Sequence, residues 1–292
     1  PMGLEMKRRV EAWRATVAQA VGCEPGRLFF TSCGTEGDNW ALRAACWHNR
    51  RVGRHIVTTA VEHHAVLNCC RQLEQEGWEV TRLLPDANGD ISAEAVLSAV
   101  RPDTALVSVM NNEAGSVMPI QQMARLTHRL CPDALFHTDA VQGFLKVPFS
   151  AKTLGADFIT ISGHKVGGPK GIGALYIGPR VREPRPLLPG GGQEMGLRSG
   201  TEPTAQIAGF AKAVELRQDS LADKLRHMAD IKAYAIEQLT AIPDLRLIGD
   251  GKAPHVLSVA LEGWPSQNIV TDLGSQGICI SAGSACHQGK AS

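Results

Sequence analysis

Short apolar runs alternate along the chain with longer stretches in which apolar residues recur at helical spacing. The short runs are rich in β-branched residues, which predicts strands. The predicted strands are Arg27–Thr31, His55–Thr59, Glu79–Leu83, Ala105–Val109, Leu135–Asp139, Phe158–Ser162 and Gly173–Ile177. The predicted helices between them are Asp38–His48, Val66–Glu76, Ala93–Val100 and Ile120–Leu130. This alternation predicts an α/β fold with a mostly parallel seven-stranded sheet sandwiched by helices.

The pattern changes after the last of these strands. Residues 178–203 are dense in proline and glycine and predict a long loop. A helical run follows over residues 204–240. Two further strands are predicted at Leu245–Ile248 and Val256–Leu261. We therefore expect a large domain over residues 1–222 and a smaller, incomplete α+β domain over residues 223–292.

The composition narrows the class of protein. The 292 residues are 43% hydrophobic and 20% charged, as in globular proteins. The 30 Lys and Arg nearly balance the 29 Asp and Glu, which gives a net charge of +1. This balance does not favour nucleic acid or an anionic membrane as the main partner. No apolar run reaches the roughly 18 residues that cross a bilayer, and the charged amino-terminal residues do not resemble a signal peptide.

The eight cysteines indicate a reducing compartment. None of them forms a CxxC pair, and a chain of this size needs no disulfides to build a core. We therefore expect free thiols and a cytoplasmic protein. The one local concentration, His63, His64, Cys69 and Cys70, matches no usual zinc spacing, so no metal site is expected.

Ligands of parallel sheets gather at the carboxyl ends of the strands, so the residues there are candidates for chemistry. Gly34 and Thr35 lie in a small-residue turn that opens a helix, where free backbone N–H groups attract an anion. A plain helix cap explains this turn equally well. His63 could act in acid–base chemistry or pack against a flat ring, or be an ordinary core or surface histidine. Asn112 could bind a substrate carboxylate or only stabilise the turn in which it lies.

Two further strand ends carry charge. Asp139 ends a hydrophobic strand, and a buried carboxylate is costly unless a cation, such as a protonated pyridine nitrogen, meets it. Lys165 follows Ser162 and His164 at the next strand end. This position suits a Schiff-base lysine, whose amine must be partly desolvated or lie near another cation. Most lysines, in contrast, lie in surface turns.

Cys286 lies in a segment of small residues, 281–286. A free cysteine is usually a small buried hydrophobe. This segment has little apolar bulk to bury a thiol, which favours an exposed nucleophile on a mobile loop.

Eight motifs occur in an order that is typical of one family. They are Phe-Thr-Ser-x-Gly-Thr-Glu-x-Asp-Asn (30–39), Glu-His-x-Ala-Val-Leu (62–67), Asn-Asn-Glu-x-Gly (111–115), Asp-x-x-Gln (139–142), Ser-Gly-His-Lys (162–165), Gly-Pro-Lys-Gly-Ile-Gly-Ala-Leu-Tyr (168–176), Gly-Gly-Gly-x-Glu-x-Gly-x-Arg-Ser-Gly-Thr (190–201) and Gly-Ser-Ala-Cys (283–286). On these motifs the chain resembles the NifS/IscS-like cysteine desulfurases, pyridoxal 5'-phosphate (PLP) enzymes of the aspartate-aminotransferase fold type. The resemblance covers nearly the whole chain.

The resemblance implies a role for each cofactor residue. Lys165 would bind PLP as a Schiff base, and Asp139 would keep the pyridine nitrogen protonated. Gln142 would bond the phenolic oxygen, and His63 would stack on the ring and assist proton transfer. The phosphate would be held by Gly34, Thr35, Ser162 and His164.

The resemblance also implies the reaction and its partners. Asn112 would contact the carboxylate of the substrate, L-cysteine, and Cys286 would accept its sulfur as a persulfide while alanine is released. Thr201 would reach the phosphate of the other subunit in a homodimer. A sulfur-acceptor protein, such as an iron–sulfur scaffold or a thiolation protein, would take the sulfur. The Ser-Ala-Gly-Ser-Ala-Cys-His spacing resembles the subgroup with a long flexible cysteine loop.

The chain lacks two segments of the family pattern. The amino-terminal Tyr-Leu-Asp-x-x-Ala-Thr-Thr motif is absent, and so is the region after the cysteine loop, where an arginine that clamps the substrate carboxylate is expected. We therefore expect a fragment or a shortened member. Three alternatives stay open: a selenocysteine lyase, an aminotransferase of the same fold, and a non-catalytic sulfur-relay or scaffold subunit.

Overall fold

The computed structural model describes residues 2–86, 89–113, 115–249 and 251–282. The strands are β1 (Leu28–Thr31), β2 (His55–Thr59), β3 (Glu79–Leu83), β4 (Thr104–Ser108), β5 (Asn112–Glu113), β6 (Ser116–Val117), β7 (Leu135–Asp139), β8 (Phe158–Ser162), β9 (Gly173–Ile177), β10 (Leu245–Ile248) and β11 (Ser258–Leu261). The helices are α1 (Met2–Val21), α2 (Gly34–His48), α3 (His64–Gln75), α4 (Ala93–Ala99), α5 (Ile120–Leu130), α6 (Ala151–Leu154), α7 (Thr204–Gln218), α8 (Leu221–Thr240) and α9 (Ser266–Ser275).

Seven strands form the main sheet, in the order β1-β9-β8-β7-β4-β2-β3. Six of them run the same way, and β9 runs antiparallel to both of its neighbours. The predicted mostly parallel sheet of seven strands is therefore confirmed. Five of its strands have the predicted bounds. Strand β1 begins one residue later than predicted, because Arg27 closes a 3-10 turn that starts at Pro25, and β4 is displaced by one residue from Ala105–Val109.

Helices cover both faces of the sheet. The core on one face joins strand residues to α2 and α3, and the core on the other face joins them to α1, α4, α5 and α7. Every residue of β2, β4, β7, β8 and β9 is buried, as expected for strands packed on both faces. The edge strand β3 is partly exposed. These layers leave the carboxyl edge of the sheet as the place where loops meet.

In the carboxyl-terminal region β10 and β11 form a second, two-stranded sheet beside α8. The two strands pair antiparallel. Lys232 of α8 donates to the carbonyls of Gly251 and Ala253, both at 2.6 Å, which ties the helix to the loop before β11. The predicted helical run over residues 204–240 is two helices, because the backbone leaves the helical region at Ser220 (φ −135°, ψ 29°). No helix within the described residues is long and apolar enough to cross a membrane.

Candidate active site

The turn from β1 into α2 forms one end of the site. Gly34 opens α2, and a Cβ at this residue would lie 2.8 Å from Val141 Cγ2 and 3.8 Å from Ser162 Cβ. Glycine therefore lets the helix end approach the ends of β7 and β8. The side chain of Cys33, the residue before the helix, makes no capping hydrogen bond, so backbone N–H groups of the first turn remain available to an anion. Thr35, in the same turn, is exposed.

Ser162 and His164 complete this end. Ser162 lies at the end of β8, and its hydroxyl is 2.9 Å from Nδ1 of His164. The pKa of His164 is lowered, first by burial and then by the neighbouring Lys165. Gly34, Ser162 and His164 therefore form a neutral, hydrogen-bonding cradle at the amino terminus of a helix. This geometry suits a phosphate group.

A cluster of buried acids forms the other end. Asp139 ends β7, and its carboxylate, the carboxylate of Asp38 and a ring nitrogen of His63 all lie within 4.8 Å of one another. Burial and the nearby Asp38 raise the pKa of Asp139 to about 8, against a smaller lowering effect of Lys165. Burial raises the pKa of Asp38 to about 7. Two carboxyl groups this close favour a shared proton or an added cation.

His63 faces this cluster from the start of α3. Its Nδ1 accepts a hydrogen bond from the backbone N–H of Ala65 at 3.1 Å, so the side chain caps the helix. In the neutral imidazole the proton is then on Nε2. The sequence predicted His63 as a site residue, and the structure places it beside Asp139.

Gln142 and Asn112 both contact His255. Gln142 Oε1 accepts from the buried amine of Lys146 at 3.3 Å. Asn112 Nδ2 is 3.5 Å from Nε2 of His255, and Asn112 Oδ1 is buried with no hydrogen-bond partner among the described residues. His255 also interacts with the backbone of Gln142. A buried acceptor without a donor indicates a place for a ligand.

The remaining predicted residues lie apart. Thr201 is exposed and is not a member of the acid cluster. Its neighbours Gly200 and Glu202 line a small cavity with Ser32. Cys286 lies outside the described residues, so its predicted role stays a prediction.

Sequence reasoning missed the contacts that fix the loop before Thr201. Glu194 forms a bidentate ion pair with Arg14 of α1, at 2.7 and 2.8 Å, and accepts from the backbone N–H of Phe30 at 2.7 Å. Arg198 bonds Glu36 in the first turn of α2 at 2.8 Å. Although burial raises the pKa of Glu36, hydrogen bonds from Arg198 and Ser32 lower it below its usual value. The loop is therefore attached to the first turn of α2, at the cradle that suits a phosphate group. The Arg14–Glu194 pair could not be predicted from local sequence patterns, because its two members lie 180 residues apart.

The arrangement fits PLP at both ends. The helix amino terminus with Ser162 and His164 suits its phosphate, and the acid cluster suits its cationic ring nitrogen. Lys165 lies in the 3-10 turn that follows β8, half-buried and close enough to act on the pKa of Asp139. An amine near both ends is what a covalently held aldehyde cofactor requires.

The two raised pKa values predict how the stability of the cofactor-free protein depends on pH. A carboxyl whose folded pKa lies above its unfolded pKa contributes stability that is present at low pH and lost as the pH rises through the folded pKa. The decline is at most about 1.4 kcal/mol per pH unit for one proton. We expect the free energy of unfolding, measured with urea at pH 5 and pH 8, to fall less in Asp38→Asn than in the wild type. An equal fall in both proteins would contradict the raised pKa of Asp38.

Comparison with known proteins gives the family of the chain. The sequence profile of the aminotransferase class-V family matches residues 1–291. The chain therefore belongs to this family. Within it, the chain is 39% identical over 287 residues to the cysteine desulfurase IscS of Clostridium botulinum (strain Kyoto / Type A2), and 41% identical over 292 residues to a cysteine desulfurase of Nostoc sp.. These alignments cover 96% and 98% of this chain and 72% of each relative.

Solved structures show the same likeness. A NifS-like protein superposes with a TM-score of 0.91 at 36% identity, over 97% of this chain and 78% of the other. The structure of SspA in complex with cysteine superposes with a TM-score of 0.81 at 33% identity, over 97% and 80% of the two chains. The fold and the family predicted from the motifs are confirmed.

Proposed function

We propose that this protein is a PLP-dependent cysteine desulfurase that converts L-cysteine to L-alanine and transfers the sulfur to Cys286. One observation carries the proposal: Lys165 lies within electrostatic reach of the buried carboxyl of Asp139 at the carboxyl edge of the sheet, in a chain similar to proteins named cysteine desulfurases. The similar protein SspA was solved in complex with cysteine, which supports the choice of substrate.

Different residues of the site would hold different parts of the cofactor. Lys165 Nζ would bond the aldehyde carbon, Asp139 would pair with the ring nitrogen, and the Gln142 amide would bond the phenolic oxygen. His63 would cover the ring and hold a proton on Nε2. The phosphate would be held by Gly34, Thr35, Ser162 and His164, with Thr201 supplied by a second copy of the chain. When bound, PLP supplies an electron sink for charge that develops at the substrate Cα.

The protein residues then carry out the proton and sulfur transfers. Lys165 Nζ takes the proton from Cα, and Asn112 orients the substrate carboxylate. The thiolate of Cys286 attacks the substrate sulfur, so that an S–S bond forms and the C–S bond breaks. The electron pair of the broken bond remains on the carbon fragment, which takes up protons and leaves as alanine. Thiol plus cysteine gives persulfide plus alanine, so no external oxidant or reductant is required.

We further propose that the reaction takes place in the cytoplasm. The seven cysteines within the described residues are free thiols, which suits the cytoplasm. We assign cofactor binding to residues 1–222 and the cysteine loop to a smaller domain over residues 223–292. A second copy of the chain would complete each site, and an iron–sulfur scaffold or another acceptor protein would receive the persulfide sulfur.

The test is alanine release from L-cysteine by the PLP-loaded protein. Cys286→Ala is expected to release alanine only at background level, because the sulfur has no acceptor. Cys279→Ala is the matched control, since Cys279 is an exposed free thiol seven positions earlier, and it should match the wild type. Equal release by Cys286→Ala would remove Cys286 from the mechanism. No release by the wild type, together with release from L-selenocysteine, would favour a selenocysteine lyase.

A further inference from the structure

Asp38 is a buried acid with no role in the mechanism above. It lies in the second turn of α2 and is 1% exposed. The residue before it, Gly37, allows the helix to approach the sheet, because a Cβ at this residue would lie 2.7 Å from Thr160 Cγ2. Asp38 is thereby placed under the ends of β7 and β8, next to the carboxyl that is expected to meet the cofactor ring.

The neighbours of Asp38 are mostly hydrogen-bond acceptors or groups that are already bonded. Asp139 and Thr160 interact with its carboxyl as hydrogen-bond partners. His137 Nε2 lies 3.5 Å from Asp38 Oδ1 and is closer, at 3.1 Å, to the Thr160 hydroxyl. Asp38 Oδ1 is buried and has no hydrogen-bond partner among the described residues.

These neighbours provide no compensating positive charge at Asp38. Burial lowers the pKa of His137 to about 4, so this imidazole is neutral near pH 7. Its Nδ1 is occupied by the Ser108 hydroxyl at 2.8 Å. Two adjacent carboxyl groups in such surroundings do not both ionise, because the second charge would be buried beside the first. One of the pair therefore holds a proton.

Without the cofactor the pKa of Asp139 is the higher of the two, so Asp139 holds the proton more readily than Asp38. A protonated ring nitrogen beside Asp139 reverses this order, because only an anion pairs with it. We propose that Asp38 is a positioning residue that keeps its proton and donates it in a hydrogen bond to the Asp139 carboxylate. This inference rests on the proposed function, since it requires PLP in the site. A carboxylate that accepts this bond is a weaker base than a free carboxylate, so the proton between Asp139 and the ring remains on the ring nitrogen.

The test replaces Asp38 with asparagine and with leucine, and loads each protein with PLP labelled with ¹⁵N in the ring. Asparagine keeps an N–H donor towards Asp139, whereas leucine has a similar size and no donor. We expect the ring ¹⁵N resonance of Asp38→Asn to match that of the wild type. In Asp38→Leu it should move more than halfway towards the value of unprotonated PLP. Circular dichroism and PLP affinity are measured on the same samples.

A second measurement decides the question if the leucine variant does not fold. Burial also raises the pKa of Glu62, so the absolute infrared spectrum does not isolate Asp38. The infrared spectrum of the loaded wild type at pH 7, minus that of loaded Asp38→Asn, should contain the C=O band of one protonated carboxylic acid. Loss of ring protonation in Asp38→Asn, retention of it in folded Asp38→Leu, or no such band in the difference spectrum would each overturn the inference while the proposed function stands. Failure of the wild type to bind PLP would overturn both.

Discussion

Lys165→Ala is expected to lower the rate of alanine release by at least about 10³-fold, because it removes both the covalent hold on PLP and the group that moves the Cα proton. General acid–base catalysis alone contributes roughly 10²–10⁴-fold, and the covalent attachment adds to this. Borohydride reduction of the PLP-loaded wild type, followed by peptide mass analysis, should place the pyridoxyl group on the peptide that contains Lys165. The variant should yield no such labelled peptide.

Two other lysines make this experiment discriminating. Lys146 is a buried amine, and burial lowers its pKa to about 8. It is therefore a second amine that can form a Schiff base with the aldehyde of PLP. A label on Lys146 would contradict the assignment of Lys165. Lys170 is the control, because it is exposed in the glycine-rich turn that follows Lys165, and Lys170→Ala should keep both the label and the rate.

Arg14→Met is expected to lower the free energy of unfolding by about 3–5 kcal/mol, the usual cost of leaving one member of a buried ion pair without its partner. Both side chains of the pair are almost fully buried. Arg14 also donates to the carbonyl of Leu28 at 3.0 Å, and its guanidinium lies 4.7 Å from the centre of the Phe30 ring. The measurement is urea unfolding of the cofactor-free protein followed by circular dichroism.

The pair also stabilises a strained backbone. Glu194 and Met195 have φ values of 47° and 57°, in the left-handed region, where each non-glycine residue costs roughly 1–2 kcal/mol. Arg9→Met is the control from the same helix, because the Arg9–Glu5 pair is exposed and such pairs contribute about 0.3–0.5 kcal/mol. The double variant Arg14→Met/Glu194→Met should cost less than the sum of the two single variants. If Arg14→Met costs no more than Arg9→Met, the pair does not fix the loop.

The sequence was sufficient to predict the elements of the main sheet, because buried strands such as Gly173–Ile177 are short apolar runs with clear ends. The rule that ligands gather at the carboxyl edge brought His63, Asp139 and Lys165 into one site before their geometry was known. The direction of β9 was not predicted, since an apolar run has the same pattern in either orientation. The break between α7 and α8 was missed because the polar residues Asp219 and Ser220 do not interrupt the helical spacing of the apolar residues around them.

The contacts that complete the site depend on tertiary structure. Asp38 is an ordinary polar residue of a helix in the sequence, and only the close approach at Gly37 makes it a neighbour of Asp139. The pairing of Arg14 with Glu194 likewise joins distant segments. Helix α1 was not predicted, because charged residues dominate its first turns and its buried residues, such as Val10 and Val17, are few.

The antiparallel course of β9 has a consequence for the movement of Lys165. Strands β8 and β9 form a hairpin whose last pair is Ser162 with Gly173, and the N–H of Gly163 donates to the carbonyl of Ile172 at 3.0 Å. Both stems of the lysine loop are therefore fastened to the central sheet. If Nζ of Lys165 were released from a bound aldehyde, the anchored backbone would stay in place. The lysine amine would then move only by rotation within its own four-carbon side chain, which would keep it near the Cα proton of the substrate.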